Sequence, residues 1–186
     1  LRAGGATATR SRIARGVEAQ PEHAAIAGRL NLLFGVAVGA DLTRHLGVEV
    51  AADGHEYVLD VPGSGSAGEY AIYTVVPQVR ARYPLLDDRL VPYALAGLGV
   101  SYAEFNDRKP HGFESRLRGT DYGAVATVGA GVEWFVSRAI ALGLETKYQH
   151  FLAGHQLRLA GEARDSRPHA LLTTAGFRVY FGSRPW

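Results

Sequence analysis

Residues 122–136 decide the fold, and they read YGAVATVGAGVEWFV. Every second residue from Tyr122 to Val136 is apolar, whereas the residues between them are mostly small or polar and include Glu133. A period of two is typical of a β-strand, because successive side chains of a strand point to opposite faces. The segment therefore predicts a strand with one continuous apolar face and one small, Gly-rich face.

The same alternation recurs along the chain and predicts eight strands. Seven clear segments lie near residues 26–42, 46–58, 69–83, 90–105, 122–136, 140–150 and 169–181, and a weaker one covers 1–14. Short turns at 43–45, 84–88 and 137–138 alternate with longer connections at 14–24, 59–68, 106–120 and 154–167. Such alternation is typical of an up-and-down meander. We predict one domain over residues 1–186, an eight-stranded antiparallel barrel followed by a short tail at 182–186.

Composition excludes several classes of protein. The chain has 186 residues and no Cys, which excludes a disulfide scaffold, a Cys-based zinc site and a thiol nucleophile. Its net charge of +2 is too small to indicate nucleic-acid binding. No run approaches the roughly 18 apolar residues of a spanning helix. The chain shows no signal peptide and contains no Met, so we expect that its original N-terminus is missing.

An alternating barrel can be soluble with an apolar interior, as in lipocalins, or transmembrane with an apolar exterior. The polar faces here are rich in Gly, Ser, Thr and Arg rather than the Lys and Glu of a solvated surface. Segments such as 122–136 span 15 residues, against about 5–6 for most soluble strands. Aromatic residues lie near the ends of the apolar faces, as in the interfacial girdles of membrane barrels: Tyr73, Tyr83, Tyr102, Tyr122, Trp134, Tyr148 and Phe181. We therefore predict an all-β fold, an eight-stranded antiparallel up-and-down transmembrane β-barrel.

Several stretches resemble small bacterial outer-membrane β-barrel proteins. Pro92–Tyr102 (PYALAGLGVSY) is similar to the "PYvgaGlGy" strand of the OmpA transmembrane domain, the OmpW group and opacity-type adhesins. Val128–Trp134 (VGAGVEW) and Leu142–Tyr148 (LGLETKY) resemble the hairpin that follows. Gly176–Phe181 (GFRVYF) resembles the assembly signal of such barrels, which ends on Phe, although a tail follows it here. The resemblance implies an integral protein of the bacterial outer membrane.

Charged residues on the small face are expected to point into the barrel. Counted from the short turns, one group lies about three residues into its strands: Glu49, Arg80, Glu133 and Arg178. A second group lies deeper: Glu145, Lys147, Asp53 and Arg10. Charges in a narrow barrel must pair or be solvated, and we expect Glu49 to pair with Arg80. The set predicts either a packed, salt-bridged plug or an ion pathway.

No catalytic, cofactor or metal site is predicted. Outer-membrane lipid A deacylases carry a closely spaced His and Ser, but His150 is followed by Phe and Leu, so the nucleophile is missing. His150, His155 and His169 do not have a spacing that indicates metal ligands. Residues 63–68 (GSGSAG) lack the Lys-Ser/Thr pair of a phosphate-binding loop.

The long connections contain basic residues separated by acids: Arg108, Lys109, Arg116 and Arg118. They favour a solvated loop or contacts with the phosphates of lipopolysaccharide. We expect a non-enzymatic structural or interaction protein, or a subunit of an envelope complex. Its partners would be outer-membrane lipid, lipopolysaccharide and a protein at the loops or exterior, not nucleic acid. The alternative, implied by the OmpW resemblance, is a narrow channel for ions or small apolar solutes.

Overall fold

A computed structural model describes residues 2–7, 31–61, 65–106, 120–153, 156–159, 162–165 and 169–181. These residues form ten strands: β1 (Arg2–Thr7), β2 (Asn31–Asp41), β3 (Leu46–Val61), β4 (Gly65–Arg82), β5 (Leu90–Asn106), β6 (Thr120–Phe135), β7 (Ile140–Ala153), β8 (Gln156–Leu159), β9 (Glu162–Asp165) and β10 (His169–Val179). Eight of them close into an antiparallel barrel in the order β1-β10-β7-β6-β5-β4-β3-β2. The predicted eight-stranded up-and-down barrel is confirmed.

The connection after β7 differs from the prediction. Strands β8 and β9 form a separate two-stranded sheet within residues 154–167, where we expected only a loop. The first predicted strand, over 1–14, corresponds to β1 at Arg2–Thr7, which closes the barrel against β10 and β2. The remainder of that prediction lies outside the described residues.

Strand pairing preserves the alternation that the sequence predicts. The β5–β6 ladder runs without interruption from Leu90 opposite Trp134 to Glu104 opposite Thr120. Register shifts occur between Leu59 and Asp60 and between Ala124 and Val125, near the ends of the strands that face the long connections. Because a period of two runs through the middle of each strand, one set of side chains faces outward and the other inward.

Polarity is inverted relative to a soluble barrel. Apolar side chains face outward, with Val38 79% and Leu98 67% exposed, whereas the inward-facing Lys147 and Glu133 are 1% and 0% exposed. Burying charges while exposing aliphatic surface is unfavourable in water, but it is the arrangement that lipid around a barrel requires. Among the described residues, no helix is long and apolar enough to span a membrane.

The small residues on the inner face make room for long side chains from neighbouring strands. A Cβ atom on Gly131 would lie 2.5 Å from the phenolic oxygen of Tyr93. A Cβ on Gly129 would lie 3.0 Å from Cγ of Lys147, and one on Gly39 would lie 2.5 Å from Cβ of Glu49. The Gly-rich face therefore follows from the crowding inside an eight-stranded barrel, where side chains fill the interior.

Candidate functional site: the charged interior of the barrel

Glu133 on β6 is the centre of a buried polar network near the short turns. Its carboxylate accepts hydrogen bonds from Arg80 Nη2 at 2.6 Å and from Tyr180 Oη at 2.8 Å. Arg178 Nε lies 2.9 Å from the same carboxylate, so two guanidinium groups and one phenol surround a single acid. Glu133 is wholly buried, and these charge-assisted contacts offset its loss of hydration.

The expected pairing of Glu49 with Arg80 is present as a buried ion pair, but it is not the shortest contact of either residue. Their charged atoms approach only to 3.8 Å. Glu49 is bound more closely by Arg178, whose Nη1 lies 2.5 Å away, and it also accepts a hydrogen bond from Gln78. The reason is the register of β3 and β4: Glu49 lies opposite Gln78, whereas Arg80 lies opposite Gly47 and reaches across the interior to Glu133.

Tyr93 on β5 connects the two groups of charges that the sequence predicts. The Arg80 guanidinium lies 3.8 Å from the centre of the Tyr93 ring, a cation–π contact. The Tyr93 hydroxyl donates a hydrogen bond of 2.7 Å to Glu145. The predicted set contains only charged residues, so it leaves out Tyr93, Gln78 and Tyr180. The alternation of the sequence does place these three side chains on the inner face.

The deeper group of charges is centred on Lys147. Its ammonium group lies 2.5 Å from Asp53 across the interior and 3.5 Å from Glu145 on its own strand. Asp53 is on β3 and Lys147 is on β7, so the pair joins strands that are not neighbours in the barrel. Arg10, the fourth predicted member of this group, lies outside the described residues.

Two clusters of buried apolar side chains pack against the charged layer. Toward the long connections, the described inner face contains a buried cluster that charge-based prediction did not include: Leu33, Ile72, Val76, Ala103, Val125, Phe151, Ala170 and Leu172. Toward the short turns, Val91, Phe135 and Ala141 form a second cluster against which Tyr180 packs. Val91 lies opposite Glu133 and Ala141 lies opposite Arg178, so the second cluster packs beside the charged layer, whereas most of the first cluster lies between that layer and the long connections.

The predicted girdle residues lie on the outer face, six of them at two heights and Tyr148 between these heights, opposite Val128 in the β6–β7 ladder. Tyr102 lies between Tyr73, which stacks on it at 6.3 Å between ring centres, and Tyr122, whose ring is tilted at 5.2 Å. This row lies toward the long connections. Its position between two rings leaves Tyr102 only half-buried, whereas the other predicted girdle residues are exposed: Tyr73, Tyr83, Tyr122, Trp134, Tyr148 and Phe181. Tyr83, Trp134 and Phe181 lie near the short turns.

The predicted loop cations lie outside the described residues: Arg108, Lys109, Arg116 and Arg118. The tail at 182–186 lies outside them as well. Within the described part of the chain, no group of three or more His, Asp or Glu side chains could hold a metal ion. The described interior thus offers paired charges and packed apolar groups.

Solved structures of outer-membrane proteins have a fold similar to this barrel. The crystal structure of Neisserial surface protein A (NspA) has a TM-score of 0.63 and 14% identity, covering 97% of this chain and 94% of that one. OprG, an outer membrane protein from Pseudomonas aeruginosa, has a TM-score of 0.56 and 16% identity, covering 98% and 94%. At such identities the likeness concerns the fold alone. No curated protein matches the chain.

A family model provides the more specific result. The model described as "Outer membrane protein beta-barrel domain" matches residues 16–178, most of the chain. Its match agrees with the closed eight-stranded barrel and with the apolar exterior. The chain therefore belongs to the outer membrane protein β-barrel domain family and is an integral protein of the bacterial outer membrane.

Proposed function

We propose that this protein is a non-enzymatic structural barrel whose interior is closed to ions and which acts through its long loops and exterior. The observation that carries the proposal is the packing of the described interior, in which paired charges and two clusters of apolar side chains fill the space inside the strands. An ion crossing the barrel would have to separate buried pairs such as Lys147–Asp53 and displace packed side chains such as Phe151. Leaving one buried charge unpaired costs several kcal/mol.

The charge balance of the interior supports the same proposal. Among the side chains that the structure describes, each of five inward acids lies within 4 Å of a cationic atom of one of four inward cations. The acids are Asp41, Glu49, Asp53, Glu133 and Glu145, and the cations are Arg80, Arg82, Lys147 and Arg178. An ion-selective pore is usually lined by charges of one sign, whereas mixed and paired charges stabilise a filled interior. With no route through the barrel, contacts with lipopolysaccharide, with a protein partner or within an envelope complex fall to the loops and the outer face.

Single-channel recording in planar lipid bilayers tests the proposal. The native protein is expected to give no steady conductance, because its interior is filled. Insertion is checked independently by the change in electrophoretic mobility that accompanies barrel folding. A variant that shortens two interior side chains, Tyr93→Ala with Phe151→Ala, provides the positive control, since it removes one group from the charged layer and one from the first apolar cluster. Steady unitary conductance from the native protein would favour the channel alternative.

A further inference from the structure

Two of the short turns are built from the same five-residue pattern. Residues 42–46 read LTRHL and residues 136–140 read VSRAI, so each has an aliphatic residue, a hydroxyl residue, an Arg, a variable residue and a second aliphatic residue. The four aliphatic side chains are exposed on the outer face: Leu42, Leu46, Val136 and Ile140. They continue the lipid-facing surface of the barrel to the turns themselves.

The hydroxyl group fixes the backbone of each turn. Thr43 Oγ1 accepts hydrogen bonds from the backbone N–H groups of His45 at 3.2 Å and Leu46 at 3.0 Å. Ser137 Oγ accepts the equivalent bonds from Ala139 at 3.2 Å and Ile140 at 3.1 Å. Because the backbone is held in this way, the Arg that follows the hydroxyl residue occupies the apex of each turn.

The two apical arginines differ in their surroundings. Arg44 donates a hydrogen bond of 2.9 Å to Asp88 in the neighbouring short turn, which satisfies part of its charge. Arg138 is exposed, and within the described residues no acidic side chain forms an ion pair with it. Arg138 follows Trp134 by four residues. A second exposed cation, Arg89, follows the neighbouring short turn. The backbone carbonyl of Arg89 accepts a hydrogen bond of 2.8 Å from the N–H of Phe135.

We propose that Arg138 binds the phosphate of an anionic phospholipid head group in the leaflet that surrounds the short turns. Short turns of outer-membrane barrels face the periplasm, so this leaflet is the periplasmic one. The site lies at the edge of the lipid-facing surface, between the exposed aliphatic residues Val136 and Ile140, and four residues after the exposed Trp134. A guanidinium group can donate two parallel hydrogen bonds to a phosphate, and at this edge it does so without leaving the interface.

Fluorescence of Trp134 provides the test, since the chain has only two Trp residues and Trp186→Phe leaves Trp134 alone. The protein is folded into vesicles in which brominated phosphatidylglycerol or brominated phosphatidylcholine competes with the unlabelled lipid. The native turn is expected to prefer phosphatidylglycerol by about fivefold, the ratio for one cation at a charged lipid surface. Arg138→Gln is expected to reduce this preference to near unity.

Arg44→Gln is the matched control, because Arg44 occupies the same position in the twin turn but already pairs with Asp88. It is expected to leave the preference seen by Trp134 unchanged. The proposal is overturned by equal quenching in native protein, by an unchanged preference in Arg138→Gln, or by an equal loss in both variants. Loss of the preference in inorganic phosphate, but not in chloride of equal ionic strength, would instead indicate a site for free phosphate.

Discussion

Glu133→Gln is expected to destabilise the barrel by about 3–5 kcal/mol, because it removes the buried acid that the buried Arg80 and the partly buried Arg178 share. Arg80 Nη2 lies 2.6 Å and Arg178 Nε 2.9 Å from this carboxylate. Among the described residues, the further acidic contact of Arg80 is Glu49, at 3.8 Å. The substitution keeps the shape of the side chain, so the loss is electrostatic rather than steric. The measurement is urea-induced unfolding in lipid vesicles, followed by Trp fluorescence.

Glu56→Gln is the matched control for this substitution. Glu56 is an exposed acid on β3, and its replacement is expected to change the free energy of unfolding by no more than about 0.5 kcal/mol. Combining Glu133→Gln with Arg80→Gln should cost less than the sum of the two single changes, since the partners are coupled. Equal stability of Glu133→Gln and Glu56→Gln would show that the inner network contributes little.

Val128→Arg is expected to cost about 2–4 kcal/mol, because it places a cation on the lipid-facing surface near the middle of β6. Val128 is 54% exposed on the outer face, and the next outward residues of β6 on either side of it, Ala126 and Ala130, are also apolar. The comparison variant is Val136→Arg, which changes the same residue type just beyond the end of β6. There the cost is expected to fall to about 0–1 kcal/mol, because the new side chain reaches the interface.

The measurement is the free energy of unfolding of the Val128→Arg and Val136→Arg variants in lipid vesicles. A barrel surrounded by lipid must tolerate Val136→Arg better than Val128→Arg. If the two variants were equally stable, the outer face would not be in contact with a hydrocarbon layer, and the orientation of β6 relative to the membrane would be wrong.

The barrel could be predicted from the sequence because an alternation with a period of two indicates both where the strands lie and which side of the sheet each side chain faces. Val128 and Glu133 lie on the faces that their positions in the sequence predict, outward and inward respectively. Turn lengths predict the meander because short connections can join only adjacent antiparallel strands.

The shortest contacts of the inner charges, Arg80 with Glu133 and Arg178 with Glu49, could not be predicted in the same way. Counting residues from the turns places Glu49 and Arg80 at equal heights, yet the register of β3 and β4 sets them two residues apart. The apolar clusters were missed because Ile72, Val125 and Phe151 make both faces of their strands apolar near one end, so the alternation is locally lost. The strand register and the contacts across the interior depend on how all eight strands pair in the closed barrel. The sequence of one strand does not determine them.

Thiol accessibility at Ser101 tests the proposed filled interior most directly. The native chain has no Cys, so Ser101→Cys introduces the only thiol, at an inward position that is 1% exposed. In folded protein in vesicles, a membrane-impermeant thiol reagent is expected to leave this Cys unmodified while it modifies Ser137→Cys in the exposed turn. Rapid modification at Ser101→Cys, at a rate similar to that of Ser137→Cys, would show that water and solutes reach the interior and would contradict the account.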